Sequence, residues 1–212
     1  MATIERATPI LVAGRIMSMP GLRVLRLGNL LPAVIWLCTL KRQLSLSDFP
    51  PTLGSSLLLL LTAWTVVLFM MRREARDPMN ARDMTLGLAG TIFLALLPRA
   101  GAGNDLSNSV QIIGSTLGVA ALAGLGRSFG VAPADRGLQQ GGIYSIIRHP
   151  LYASELIFFS GFFLTRPSLY AGAIIATWWL IQVLRMYREE RVIDGYAAYK
   201  NRVRWRVIPL VW

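Results

Sequence analysis

The sequence predicts an all-α, polytopic membrane protein, and three observations predict it. Hydrophobic residues make up 54% of the 212 residues and charged residues only 16%, against about a quarter charged in an ordinary soluble domain. Mean hydropathy is +0.49. Apolar runs of spanning length recur along the chain, and the basic residues between them sort by side. So apolar a composition excludes disorder and disfavours a small soluble enzyme. The net charge of +11 suits anionic lipid head groups, and no nucleic-acid partner is expected because the basic residues form no groove-sized patch. With one cysteine, Cys38, and one histidine, His149, a disulfide framework is excluded and no metal is expected. The apolar stretch Pro9 to Gly14 is too short for a signal-peptide core.

Taken in order, the first segment runs from Leu27 to Leu40 and extends back to Leu22 if Arg23 and Arg26 snorkel to the surface. Leu53 to Met71 carries no charge and has the length of a spanning helix, about 17 to 25 residues. Met84 to Pro98 falls just short. Leu106 to Gly126 and Ser168 to Leu184 qualify cleanly, whereas Leu151 to Thr165 contains Glu155. The reading is therefore six transmembrane helices, with five as the fallback, the last two joined by the tight hairpin Arg166-Pro167-Ser168. In the fourth, Gly114, Gly118 and Ala121 line one face, as close helix packing in lipid requires. After the last span, Tyr196, Tyr199 and Val203 share a side among Lys200, Arg202, Arg204 and Arg206. That pattern suits a C-terminal interfacial helix with Trp205 and Trp212 as anchors.

If the N-terminus is cytoplasmic and the segments alternate, only Lys41, Arg42, Arg99 and Arg166 of the 22 Lys and Arg fall outside. The positive-inside rule favours that layout; it places both termini and the polar loops at the cytoplasmic face. No repeat or domain boundary is visible, so residues 1–212 are read as one membrane-embedded unit.

Polar chemistry collects between Arg127 and Tyr152. A Gly- and Pro-rich connection of about 25 residues is long for a helix–helix loop, and its Phe129, Ile143, Tyr144, Ile146 and Ile147 argue that it folds as a cap on the helix ends. Pro150 suits the first turn of the next helix and pushes His149 out of the helical region. Arg148, His149, Tyr152 and Glu155 then lie within eight residues, and a carboxylate as deep as Glu155 must be paired or line a wet cavity. A second cluster, Arg185 to Arg191, follows the last span. Arg185 and Glu189 share a helix face there, which a solvated, ion-paired helix end also explains.

Together the clusters resemble the membrane methyltransferases of the isoprenylcysteine carboxyl methyltransferase and phospholipid methyltransferase superfamily. The shared run is Gly-x-Tyr-x-x-x-Arg-His-Pro-x-Tyr, here Gly142 to Tyr152. It is followed by a helical hairpin, the acidic pair Glu189 and Glu190, and a Tyr-x-x-Tyr-Lys stretch, Tyr196 to Lys200. Leu125-Gly126-Arg127-Ser128-Phe129 matches an upstream element. The resemblance covers about the second half of the chain, so it makes 106–212 the catalytic, donor-binding half and leaves 1–105 without a signature.

The resemblance implies S-adenosylmethionine as cofactor, held by Arg136, Gly137, Leu138, Gln139, Tyr144, His149, Pro150, Leu151, Tyr152 and Glu189, with Glu190 the neighbour in register. It implies catalytic roles for His149 and Glu189 and an acceptor-handling role for Arg185; the chemistry of the cluster adds Arg148 as a second group able to position the acceptor head and Glu155 as a carboxylate on the acceptor side. The acceptor it implies is lipophilic: an isoprenylcysteine-type carboxylate first, a phospholipid amine second. One departure is that only Arg191 to Gly195 separate the acidic pair from Tyr196, a shorter loop than the family's. Two other readings stand beside this one. Membrane sterol reductases that use NADPH carry a similar Arg-His-Pro-x-Tyr segment but have Asn at the position of Leu151. A non-enzymatic membrane adaptor with a decayed pocket would account for the shortened loop.

Overall fold

The computed structural model describes residues 27–46, 53–77, 80–97 and 103–212. Readings that rest on the first 26 residues, on Pro98 or on Arg99 lie outside that set. Among the described residues every regular element is helical: α1 Leu27–Leu46, α2 Leu53–Met71, α3 Ala81–Ile92, α4 Asp105–Leu125, α5 Pro150–Thr165, α6 Leu169–Val192 and α7 Tyr196–Arg202. Local sequence sets the boundaries. Asn80 and Asn104 cap α3 and α4 by accepting from the amides of Asp83 and Ser107, both at 2.8 Å. Ser168 does the same for Ala171 at 3.1 Å. Each satisfies an amide that the first helical turn leaves without a partner.

Helices form at all six segments read as spans, and among the described residues two stretches, Asp105–Ser128 and Leu169–Val192, have the length and apolarity to cross a membrane. The all-helical expectation holds, and the count of six crossings is not confirmed. α1 carries Lys41 and Arg42 inside the helix, before its end at Leu46, α3 is only 12 residues long and opens with Arg82 and Asp83, and α5, though apolar, has 16 residues.

Helix packing follows the small-residue expectation. α4 packs most extensively on α5, and the contact is backbone-close on both sides. A Cβ on Gly114 would stand 2.6 Å from the Phe158 amide nitrogen, and one on Gly161 2.8 Å from that of Gln111. α3 is fastened to α6 at two levels. The buried Trp178 indole donates to the Gly90 carbonyl at 2.9 Å, and Arg188 grips Asp83 with two bonds of 2.8 and 3.0 Å. Leu68 and Phe69 of α2, Leu122 of α4 and Phe129 of the long loop form one core cluster.

The expected interfacial helix takes a different form. α7 spans only seven residues and buries Tyr196 and Tyr199. Trp205 and Trp212 pack against a core cluster of Ile147, Tyr152, Ala153, Met186 and Val207 rather than standing out as anchors. The reason is a short backbone pairing: Ile147 bridges Trp205 in parallel, which draws the chain after α7 under the start of α5.

Candidate functional site

His149 caps α5 from outside the helical region, at φ −128° and ψ 61°, with Pro150 at the first helical position, as Pro150 requires. The pairing with the segment after α7 fixes its backbone: Arg148 N donates to Trp205 O and His149 N to Arg206 O, both at 2.9 Å. The side chains of residues 148, 149 and 152 thereby meet the last turns of α6. α6 runs two turns beyond the predicted end at Leu184, so Arg185, Glu189 and Glu190 are carried on one rigid helix.

The two glutamates are differently employed. Glu190 Oε1 accepts from Arg148 Nη1 at 3.0 Å and from Arg206 Nε at 2.8 Å, and Oε2 accepts from Arg206 Nη2 at 2.9 Å. His149 Nε2 lies 3.2 Å from Oε1. Arg148, His149 and Arg206 are each no more than 7% exposed, so this is a desolvated ion cluster with its carboxylate saturated. Glu189 has more room. Its Oε1 accepts from the Tyr152 hydroxyl at 2.5 Å, Oε2 stands 3.9 Å from His149 Nδ1, and its side chain is 18% exposed against 8% for Glu190.

Aromatic rings wall this position. His149 and Tyr152 meet edge-on with centroids 5.5 Å apart, and His149 stacks on Tyr196 at 6.1 Å. The Tyr196 hydroxyl is 3.0 Å from His149 Nε2. The Tyr199 hydroxyl donates to the Tyr144 carbonyl at 2.6 Å, and the Tyr144 hydroxyl to Ala121 O at 3.3 Å. Burial, reinforced by Glu189, pushes the Tyr144 phenol well above its ordinary range. Burial and Glu190 do the same for Tyr196, and burial brings Tyr199 up to about 12. All three remain neutral hydroxyls at physiological pH.

A second polar limb extends from Tyr152 into the helices. The Arg185 guanidinium lies over the Tyr152 ring at 5.3 Å, donates to Gln182 Oε1 at 2.6 Å and donates to the Val131 carbonyl. Gln182 in turn donates to Glu155 at 2.8 Å. Arg185 is 7% exposed, and its buried Nε has no hydrogen-bond partner. The pairing that the helical spacing offered, Arg185 with Glu189, is replaced by these contacts.

The long loop closes over the same region, as its apolar residues predict. Arg73 N donates to Arg127 O at 2.7 Å and Arg76 N to Asp135 O at 2.9 Å, tying it to the end of α2. Arg136 is buried, donates to Ala132 O at 3.3 Å and is brought down to about 10, by burial first and Arg72 second, while Glu189 acts the other way. Gly137 takes a left-handed φ of 95°, Leu138 packs on the Tyr196–Tyr199–Val203 cluster, and Gln139 donates to Ser128 at 3.0 Å. Pro150 is fully buried. Leu151 points elsewhere, into the Phe69–Leu122–Phe129 cluster.

Sequence reading singled out neither Gln182 nor the functions of Arg206 and Tyr196. Gln182 had a signal, being a carboxamide inside an apolar span one turn before Arg185. Arg206 had none, because one basic residue among four in a row does not declare a partner 16 residues away.

Residues 108–199 match the family model for phospholipid methyltransferase. That family belongs to the integral membrane methyltransferase superfamily which the motifs resemble. The matched segment, just under half of the chain, begins in α4 and ends in α7, and so contains both glutamates and the whole Arg148–Tyr152 run. Neither curated proteins nor solved structures return a match.

Proposed function

We propose, with this match as premise, that the chain is a membrane methyltransferase that uses S-adenosylmethionine and esterifies the carboxylate of a lipophilic acceptor. One observation carries the reading: the start of α5 and the end of α6 set the Glu189 carboxylate among Tyr152, His149 and Tyr196.

The residues fit the donor, which supplies, when bound, a methyl group on a cationic sulfur. Rings of Tyr152, His149 and Tyr196 offer faces to a cation. Glu189 can accept hydrogen bonds from ribose hydroxyls, and Arg136 offers a guanidinium to a carboxylate. Leu138, with Gly137 and Gln139, gives the loop an apolar surface for a base. Glu190 already has its hydrogen bonds, so it holds Arg148 and His149 in place and takes no ligand.

Arg185 carries the acceptor side. Its partnerless buried Nε and its position over Tyr152 suit an anionic oxygen brought in from the helices. A carboxylate needs no base, because its oxygen already holds the attacking pair, and no proton moves as the C–O bond forms and the S–C bond breaks. Positioning is then most of the task, and burial of an anion beside a cation that neutralise each other favours the reaction. Two things favour a second reading, a phospholipid amine: the description of the matched family, and Glu155, a carboxylate placed to take the proton that an ammonium must lose.

Offering methyl-labelled donor to membranes containing the protein separates these. The proposal expects a lipid-soluble product whose label is released by mild base. A base-stable labelled lipid sinks the ester reading in favour of the amine, and no labelled lipid at all overturns methyl transfer.

A further inference from the structure

The exposed apolar residues at the end of the chain continue a lipid-facing strip of α6. Leu180, Leu184 and Tyr187 recur at helical spacing and are 59%, 47% and 42% exposed, so one face of this candidate membrane-crossing helix is left uncovered by the described residues. At the lower end of that strip the Arg206 guanidinium sits over the Tyr187 ring at 4.3 Å and over the Trp212 ring at 5.0 Å. This sandwich brings the last residues against the same face. The chain folds back on itself there: Val207 N and Ile208 N donate to Trp212 O at 2.9 and 3.0 Å.

What the reversal leaves outside is apolar. Ile208, Leu210 and Val211 are 42%, 82% and 74% exposed, with Pro209 exposed between them. Leu210 also adopts φ 68°, the only non-glycine left-handed residue among those described. A leucine held in a strained backbone region with its side chain turned outward is unfavourable twice over in water. In hydrocarbon the second penalty disappears. Exposed Lys200, Arg202 and Arg204 precede the tip and sit where phosphates lie if the tip is in the acyl layer.

We infer that the 208–211 tip is a bilayer-inserted wedge: it dips below the head groups beside α6, and its partner is the phospholipid leaflet itself. It begins two residues after Arg206, whose carbonyl accepts from His149 N, so inserted depth also fixes the height of His149 relative to the membrane.

The test is depth measurement by nitroxide label. Cys38, an exposed free thiol, is first removed as Cys38→Ser. Leu210→Cys and, as reference, Asn201→Cys on the exposed side of α7 are labelled separately. Both are reconstituted in vesicles of phosphatidylcholine with a minority of phosphatidylglycerol. Collisions with oxygen, which partitions into the bilayer, are compared with those with a water-soluble nickel chelate. The expected result is opposite order: the 210 label favours oxygen over nickel, and the 201 label favours nickel. A Val211→Cys label should reproduce the depth found at 210. Nickel access at 210 equal to that at 201 overturns the inference. Spin–spin broadening at 210 that disappears on dilution with unlabelled protein also overturns it, since a second copy then covers the tip.

Discussion

Replacing Glu190 with alanine is expected to destabilise the protein by about 3–5 kcal/mol, the loss seen when one partner is removed from a buried ion pair. Arg148 and Arg206, with side chains 6% and 8% exposed, would keep their charges without the carboxylate between them. They would also repel each other across the gap. For a chain of this length the apparent unfolding temperature in detergent should fall by about 6–20 °C. Glu190→Gln retains an acceptor but no charge and should fall between the two. An unfolding temperature unchanged by Glu190→Ala would mean that the cluster is solvated and does not hold α5 to α6.

Arg185→Lys is expected to split the kinetic constants. An ammonium cannot make the forked contacts of the guanidinium with Gln182 and the Val131 carbonyl, and its three donors radiate from one shorter-reaching nitrogen that is misplaced for an acceptor oxygen. Losing one such preorganised donor lowers turnover by about 100-fold, so kcat/KM for the acceptor should fall by that order. Donor affinity should stay as it is, because Arg185 acts from the far side of Tyr152. Equal losses in donor binding and turnover would show that Arg185 only supports the pocket and does not handle the acceptor.

These two experiments probe relations that the sequence revealed unequally. Segment positions were legible because apolar runs are local, and Pro150 starts α5 where its missing N–H says it should. Likewise the meeting of Arg148–Tyr152 with the acidic pair was foreshadowed by motifs at both ends of a tight hairpin. The end of α6 was legible only in part, through the helix face that Arg185 and Glu189 share. Its charged run from Arg185 onward reads as the end of a span, yet a helix satisfies its own backbone irrespective of polarity, and α6 continues to Val192. Which glutamate keeps the more exposed, less saturated carboxylate was hidden for a related reason. Neighbours on a helix differ by about 100°, so their roles depend on how α6 is rotated against α5, a tertiary quantity. Arg206 reaches Glu190 only after the chain reverses at Gly195, whose left-handed φ of 74° no short motif announces. Two of the six segments read as spans have the length and apolarity to cross a membrane among the described residues, because apolar composition marks a helix more readily than it marks a crossing.

The claim beneath all of this is that Glu189, set among Tyr152, His149 and Tyr196, holds the methyl donor. Equilibrium binding of tritiated S-adenosylmethionine to the purified protein and to its Glu189→Gln variant tests it most directly. Hydrogen bonds to a charged acceptor contribute about 1.5–3 kcal/mol, or roughly 10- to 150-fold in affinity. The account predicts saturable binding that S-adenosylhomocysteine displaces and NADPH does not, weakened by that factor in the variant while the unfolding temperature holds. Absence of saturable binding, or equal affinity in the two proteins, would contradict it.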